Sequence, residues 1–214
     1  MKSIEQKYRK LDDIEHALLR PGMYIGSTKT RTEACYLLNK KSAIEAKVIE
    51  VNSAFLKIFD EIVSNSADEH RRNNKLNLIE VTTDAATGKI TVRDNGGIPV
   101  VKHAVHDEYV PEMIFSNLKA GSNFNDEEDR LVAGTNGVGA TLTNIFSSEF
   151  CIQTCDGKKH FSQTFTNNMR EREKPVVKRA KKRTRFTEIS YTADFKQFGL
   201  KGLDVNHIEL MKKR

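Results

Sequence analysis

Apolar residues recur at helical spacing most clearly between Asn52 and Arg72, where Phe55, Ile58, Phe59, Ile62, Val63 and Ala67 share one face. This spacing predicts a long amphipathic helix. The period then changes. LIEVTTD and ITVRDN alternate apolar and polar positions on either side of AATGK, which predicts paired strands bending at Thr87-Gly88. EFCIQTCDGKKHFSQTFTN predicts a second hairpin, turning at Asp156-Gly157, and RFTEISYT a further strand. Shorter helical patterns lie at Lys10 to Leu19, ending before Pro21-Gly22, at PEMIFSNLK with Pro111 in its first turn, at TLTNIFS and at LDVNHIELMKKR. Hairpins interleaved with helices, rather than strict strand-helix alternation, predict an α/β (α+β) two-layer sandwich. Its sheet is expected to be mixed and largely antiparallel, covered by helices on one face.

At 214 residues the chain has material for one well-cored domain, or one domain and part of the next. It is 38% hydrophobic and 30% charged, and no apolar run approaches the roughly 18 residues of a membrane span. The opening MKSIEQKYRKLDD lacks the apolar stretch of a signal peptide, so a cytoplasmic location with no membrane partner is expected. Cys35, Cys151 and Cys155 have neither zinc-ligand spacing nor a disulfide framework and read as packing residues. Charge is uneven. Nine Lys and Arg stand against two Glu between Arg170 and Arg185, so this segment carries the whole net excess of the chain. Such a run is either a solvated loop or a contact for a polyanion such as double-stranded DNA.

Three short stretches carry chemistry. Glu61, Asn65 and Asp68 lie at i, i+4 and i+7 on the long helix, bordered by Glu69, and so form one polar column opposite the apolar face. Asn and Asp are poor helix-interior residues, which argues against mere solubility. An amide oxygen suits Mg²⁺, and a carboxylate one turn earlier can take a proton from water. Asp94 opens the turn Asn95-Gly96-Gly97-Ile98-Pro99, either as a plain turn residue or as an acceptor for the exocyclic amine of a flat ligand. AGTNGVGATL packs Gly134, Gly137 and Gly139 ahead of a helix. It is either a flexible connection or an anion cradle of backbone N–H groups.

The order E-x-x-x-N-x-x-D-E, D-x-G near G-I-P, G-x-x-G-x-G and F-T-E resembles the GHKL (Bergerat-fold) ATP-binding domain of DNA gyrase, Hsp90, histidine kinases and MutL. RPGMYIGS, KIFDEIVSNSADE, YVPEMIFSNLKAGSNFNDEED and GTNGVGATLTNIFSSEF sharpen this to type IIA DNA topoisomerases, nearer the eukaryotic and phage-encoded members than gyrase. The resemblance runs from about Tyr8 to the C-terminus. It implies an N-terminal arm over 1–20 exchanged between protomers and an ATP-binding domain over 21–214 with a lid at about 120–139. By the same likeness, the transducer domain that follows in the family is expected to lie outside these 214 residues. ATP would dimerise two copies and close a gate on duplex DNA alongside other topoisomerase subunits.

By the same resemblance, Glu61 is the general base, Asn65 the Mg²⁺ ligand and Asp94 the adenine contact. Ser122 and Asn123 meet ribose and phosphate, and Gly121, near which the lid starts, is a further ATP-binding residue. Gly134, Thr135, Asn136, Gly137, Val138, Gly139, Ala140 and Thr141 form the phosphate loop, Thr187 supports the adenine site, and Tyr8 reaches the partner's pocket. Three departures stand out. DNGGIP is one residue shorter than the family's turn; Thr135 and Thr141 replace residues that tend to be basic in eukaryotic members; and the family's catalytic Lys belongs to the next domain. The isolated chain is therefore expected to bind ATP with Mg²⁺, to hydrolyse it poorly and to dimerise weakly. A histidine-kinase-like phosphotransferase and a nucleotide-gated DNA-binding module are the alternatives.

Overall fold

In the computed structural model, residues 3–38, 43–73, 75–121 and 137–214 are described. The N-terminal part holds helices α1 (Ile4–Lys7) and α2 (Asp13–Leu19). Asp12 caps α2 by accepting from the Glu15 N–H, which starts the helix a turn later than its apolar pattern suggests. Strands β1 (Arg31–Leu38) and β2 (Ile44–Val51) then pair as a separate antiparallel hairpin.

Helix α3 (Ser53–Arg72) follows; of the face the sequence marks, Phe55, Ile58, Phe59 and Ile62 are buried, Val63 is half-buried and Ala67 is exposed, so the apolar face fades toward the C-terminal half. Asn52 caps it by accepting from the Phe55 N–H and, fully buried, donates to the carbonyls of Thr28 and Phe198. Helix α6 (Val205–Lys212) docks here: its buried His207 accepts from the Asn52 N–H through Nε2 at 3.0 Å. The end of the chain thus fixes the start of the helix that carries the polar column.

Between them lie β3 (Ile79–Asp84), β4 (Lys89–Asp94), α4 (Val110–Ser116), α5 (Gly139–Ile145), β5 (Ser147–Asp156) and β6 (Lys159–Thr166). Two short strands, β7 (Glu171–Arg172) and β8 (Val176–Arg179), precede β9 (Arg185–Ala193). The main sheet runs β3-β4-β9-β5-β6, with β7 and β8 both added to β6, and every pairing among the described residues is antiparallel. The segment read from its charge as one loop therefore contains two edge strands. Pairing to β6 overrides the composition there.

One face of the sheet is packed against helices. Ile90, Tyr191, Phe150 and Phe165 form one row across four strands, and Val92, Ile189 and Ile152 the next. Phe55, Ile58, Phe59 and Ile62 of α3 lie in the same core. Truncating one of these phenylalanines to alanine costs about 3–5 kcal/mol. One row further on, the buried positions become polar: Asp94, Thr187 and Thr154 stand side by side on β4, β9 and β5. The core ends at this row, and a cavity begins.

Candidate functional site

The cavity, about 650 Å³, lies between α3, the end of β4 and the start of α5. That volume is in the range of small-molecule sites. Glu61, Asn65, Asp68 and Glu69 form its α3 wall, so the polar column read from the sequence faces one space. Asp94, Gly97 and Thr187 line the sheet end, and Gly121, Gly137, Val138, Gly139 and Ala140 line the opposite end.

The sheet end is held by its own protein partners. Asp94 is only 6% exposed, accepts from Ser66 Oγ at 2.7 Å through Oδ2, and accepts from the Gly96 N–H at 2.9 Å through Oδ1. The Ile98 N–H donates to Thr154 Oγ1 at 2.9 Å, and that hydroxyl is 3.2 Å from Thr187 Oγ1. Gly97 has φ +83°, and a Cβ there would run into the carbonyl of Cys155, so position 97 has no room for a side chain. Arg185 closes the turn from outside: its Nε donates to the Gly96 carbonyl at 2.8 Å and its Nη2 to the Gly97 carbonyl at 3.1 Å.

Asp156 anchors the segment just beyond. It accepts from the N–H groups of Lys158, Lys159 and Val100. Burial pushes its carboxyl up, but the three N–H donors and the Arg185 charge outweigh this and hold it below the usual carboxylate range.

At the other end, Glu61 ion-pairs with Lys57 one turn earlier and lies against the first residue of α5. A Cβ on Gly139 would overlap the Glu61 carboxylate, so glycine there lets the acid lie directly against the start of α5. Val138 caps α5 without any side-chain hydrogen bond. The Ala120 N–H donates to the Gly137 carbonyl at 3.1 Å, so the described chain leaves the cavity rim and returns to it at adjacent points. Ser122, Asn123, Gly134, Thr135 and Asn136, and most of the 120–139 lid, lie outside the described residues.

Two sequence expectations need correcting. Thr141 does not reach the cavity: it is 1% exposed, and its hydroxyl donates to the carbonyls of Asn117 at 3.0 Å and Ile114 at 3.3 Å. Set in the first turn of a helix packed on α4, it ties the two helices together rather than facing a ligand. Arg185, counted with the basic run, belongs to the cavity instead. Tyr8, 69% exposed, is away from the cavity of its own chain. Sequence reasoning also missed Ser66, Lys57 and Arg185. Ser66 is signalled only by its place beside Asn65, and Lys57 by its i, i+4 spacing to Glu61.

Among the described residues no helix is long and apolar enough to cross a membrane, and no group of three or more His, Cys, Asp or Glu side chains could hold a metal by itself.

An antiparallel sheet with helices on one face and a cavity at its polar end is the architecture of the topoisomerase and gyrase ATPase domains. No family model matches the chain. It is 40% identical over 216 residues to DNA topoisomerase 2 of Arabidopsis thaliana and 43% identical over 222 residues to DNA topoisomerase 2 of Acanthamoeba polyphaga mimivirus. Each match takes in 100% of this chain but only 15% and 17% of those relatives' length. The solved ATPase region of Saccharomyces cerevisiae topoisomerase II superposes with a TM-score of 0.93 at 35% identity, covering 97% of this chain and 56% of that one. The 43K ATPase domain of Thermus thermophilus gyrase B shares the fold, with a TM-score of 0.65 at 24% identity over 92% of this chain and 43% of that one. The chain matches the ATPase region of type II DNA topoisomerase over 97% of its length, and the histidine-kinase alternative is not favoured.

Proposed function

We propose that this chain binds and hydrolyses ATP as the N-terminal gate of a type II DNA topoisomerase. The observation that carries the reading is the meeting of Glu61 with the glycine start of α5, across one cavity from Asp94. Asp94, with Ser66 and Gly96 as donors, keeps a carboxylate fixed for the exocyclic amine of adenine. Gly137, Val138, Gly139 and Ala140 supply backbone for phosphate oxygens, joined in this reading by Gly121 and by Ser122, Asn123, Gly134, Thr135 and Asn136.

Asn65 fits Mg²⁺: an amide oxygen is a hard-cation ligand, and this side chain is exposed to the cavity one turn from Glu61, where phosphates and water would complete the ion's shell. When bound, Mg²⁺ neutralises charge on the phosphates. Glu61 then accepts a proton from the attacking water, held against Gly139 and oriented by Lys57. Thr187 supports the base end through Thr154.

The whole enzyme's activity is part of the same proposal. Tyr8 is exposed and free to enter the pocket of a second copy. Among the nine basic residues, Arg172 lies 3.7 Å from Glu112 and Arg185 is bound to the glycine turn, which leaves Arg170, Lys174, Lys178, Arg179, Lys181, Lys182 and Arg183 exposed for duplex DNA. A phage-encoded source, the host cytoplasm and the other topoisomerase subunits draw on the sequence motifs alone.

The test is titration of the 214-residue chain with an imido analogue of ATP and Mg²⁺. Saturable binding that Asp94→Ala abolishes is expected, and binding unaffected by that change would overturn the assignment of the base end.

A further inference from the structure

Arg185 has a role that its place in a run of nine basic residues conceals. Its guanidinium is spent on two adjacent carbonyls, those of Gly96 and Gly97, at 2.8 and 3.1 Å. Two parallel charge-assisted bonds from one rigid fork fix both the position and the tilt of a peptide pair, which an ammonium or a single donor does not.

The consequence passes one residue further. The N–H of Gly96 donates to Asp94 Oδ1, and Ser66 holds Oδ2, so the orientation of the carboxylate depends on where Gly96 sits. A Cβ at Gly96 would clash with Leu76 Cδ1 at 2.8 Å, so the turn lies close against its inner side, while the Arg185 side chain packs at 3.3 Å from a Cβ position on Gly97. The turn is gripped between Leu76 and Arg185.

We infer that Arg185 is a positioning residue for base selection: by holding the Gly96 and Gly97 carbonyls it sets the Asp94 carboxylate to accept from an amine-bearing purine and to reject one bearing a carbonyl there. This rests on the reading of the cavity as a nucleotide site. A site built around a buried acceptor discriminates strongly only while that acceptor cannot turn away, because a carbonyl facing it sets acceptor against acceptor with no proton between them.

Binding of the imido analogues of ATP and GTP, each with Mg²⁺, is measured for the wild-type chain, R185A and R185K. The wild type binds the ATP analogue selectively; if it binds neither, the nucleotide reading itself fails, whatever Arg185 does. In R185A the ATP analogue weakens roughly tenfold while the GTP analogue changes little, so selectivity collapses. A purely structural role lowers both affinities by one factor and leaves their ratio intact, which overturns the inference. R185K keeps the charge but grips one carbonyl at a time, so its selectivity falls between the two. Full selectivity in R185K assigns the effect to charge alone and also overturns it.

Discussion

At the sheet end of the cavity Asp94 accepts from Ser66 and Gly96, Thr154 from Ile98, and Arg185 grips two carbonyls, so every polar group named there already has a protein partner. At the opposite end α5 starts at Val138 with no side-chain cap, next to glycines and a carboxylate. The difference matches two tasks. Telling one base from another requires acceptors that stay where they are put, whereas holding phosphate requires donors that have no other partner. On the proposed reading, a nucleotide spanning the cavity would be selected at one end and would complete the structure at the other.

The largest effect expected is at the uncapped end. Glu61→Ala should lower nucleotide hydrolysis by about 10²–10⁴-fold, the usual contribution of a general base, while analogue binding persists. Phosphate release and titration together check this, and an unchanged rate would remove Glu61 from the chemistry. At the sheet end, Ser66→Ala deprives buried Asp94 of one donor and should weaken the ATP analogue roughly tenfold, read by the same titration.

Smaller effects test whether the two ends are separable. Thr141→Val removes the hydroxyl proton shared between the Asn117 and Ile114 carbonyls and should cost about 1 kcal/mol, seen as a fall of a few degrees in Tm. Analogue affinity should hold. A tenfold loss of affinity at unchanged Tm would return Thr141 to the phosphate loop. Asp156→Asn is the mildest. Because the Asp156 carboxyl is held below its usual value, its contribution to stability is complete above about pH 3.9 and drains away as pH falls through the folded value. The variant should be less stable than the wild type at neutral pH, and the gap should close as the solution is acidified below pH 4. A gap of constant size from pH 7 to pH 3 would show that this carboxylate is not the linked group.

How legible the molecule is from its sequence varied with how each element hides its apolar side. Helix α3 and the β5–β6 hairpin carry clean periods, and both are found where the pattern places them. The β1–β2 hairpin went unread. Its outer face bears Ala34, Tyr36, Ile44, Ala46 and Val48, all exposed, so apolar residues occupy both faces and alternation disappears. Strands β7 and β8 are invisible for the opposite reason, since few of their positions are apolar at all and pairing alone defines them. In the site, the column on α3 was legible because helical geometry fixes which side chains share a face. Arg185 was not: its meaning depends on a pairing between β4 and β9 that brings residues almost ninety positions apart into contact.

The contact between Glu61 and Gly139 makes the choice of residue at 139 a control on where the acid rests. In its present rotamer the Glu61 carboxylate occupies the volume that a side chain at 139 would take. Even a methyl group there would push the acid away from the start of α5, so the smallest residue in the chain is what lets the carboxylate lie against the helix end.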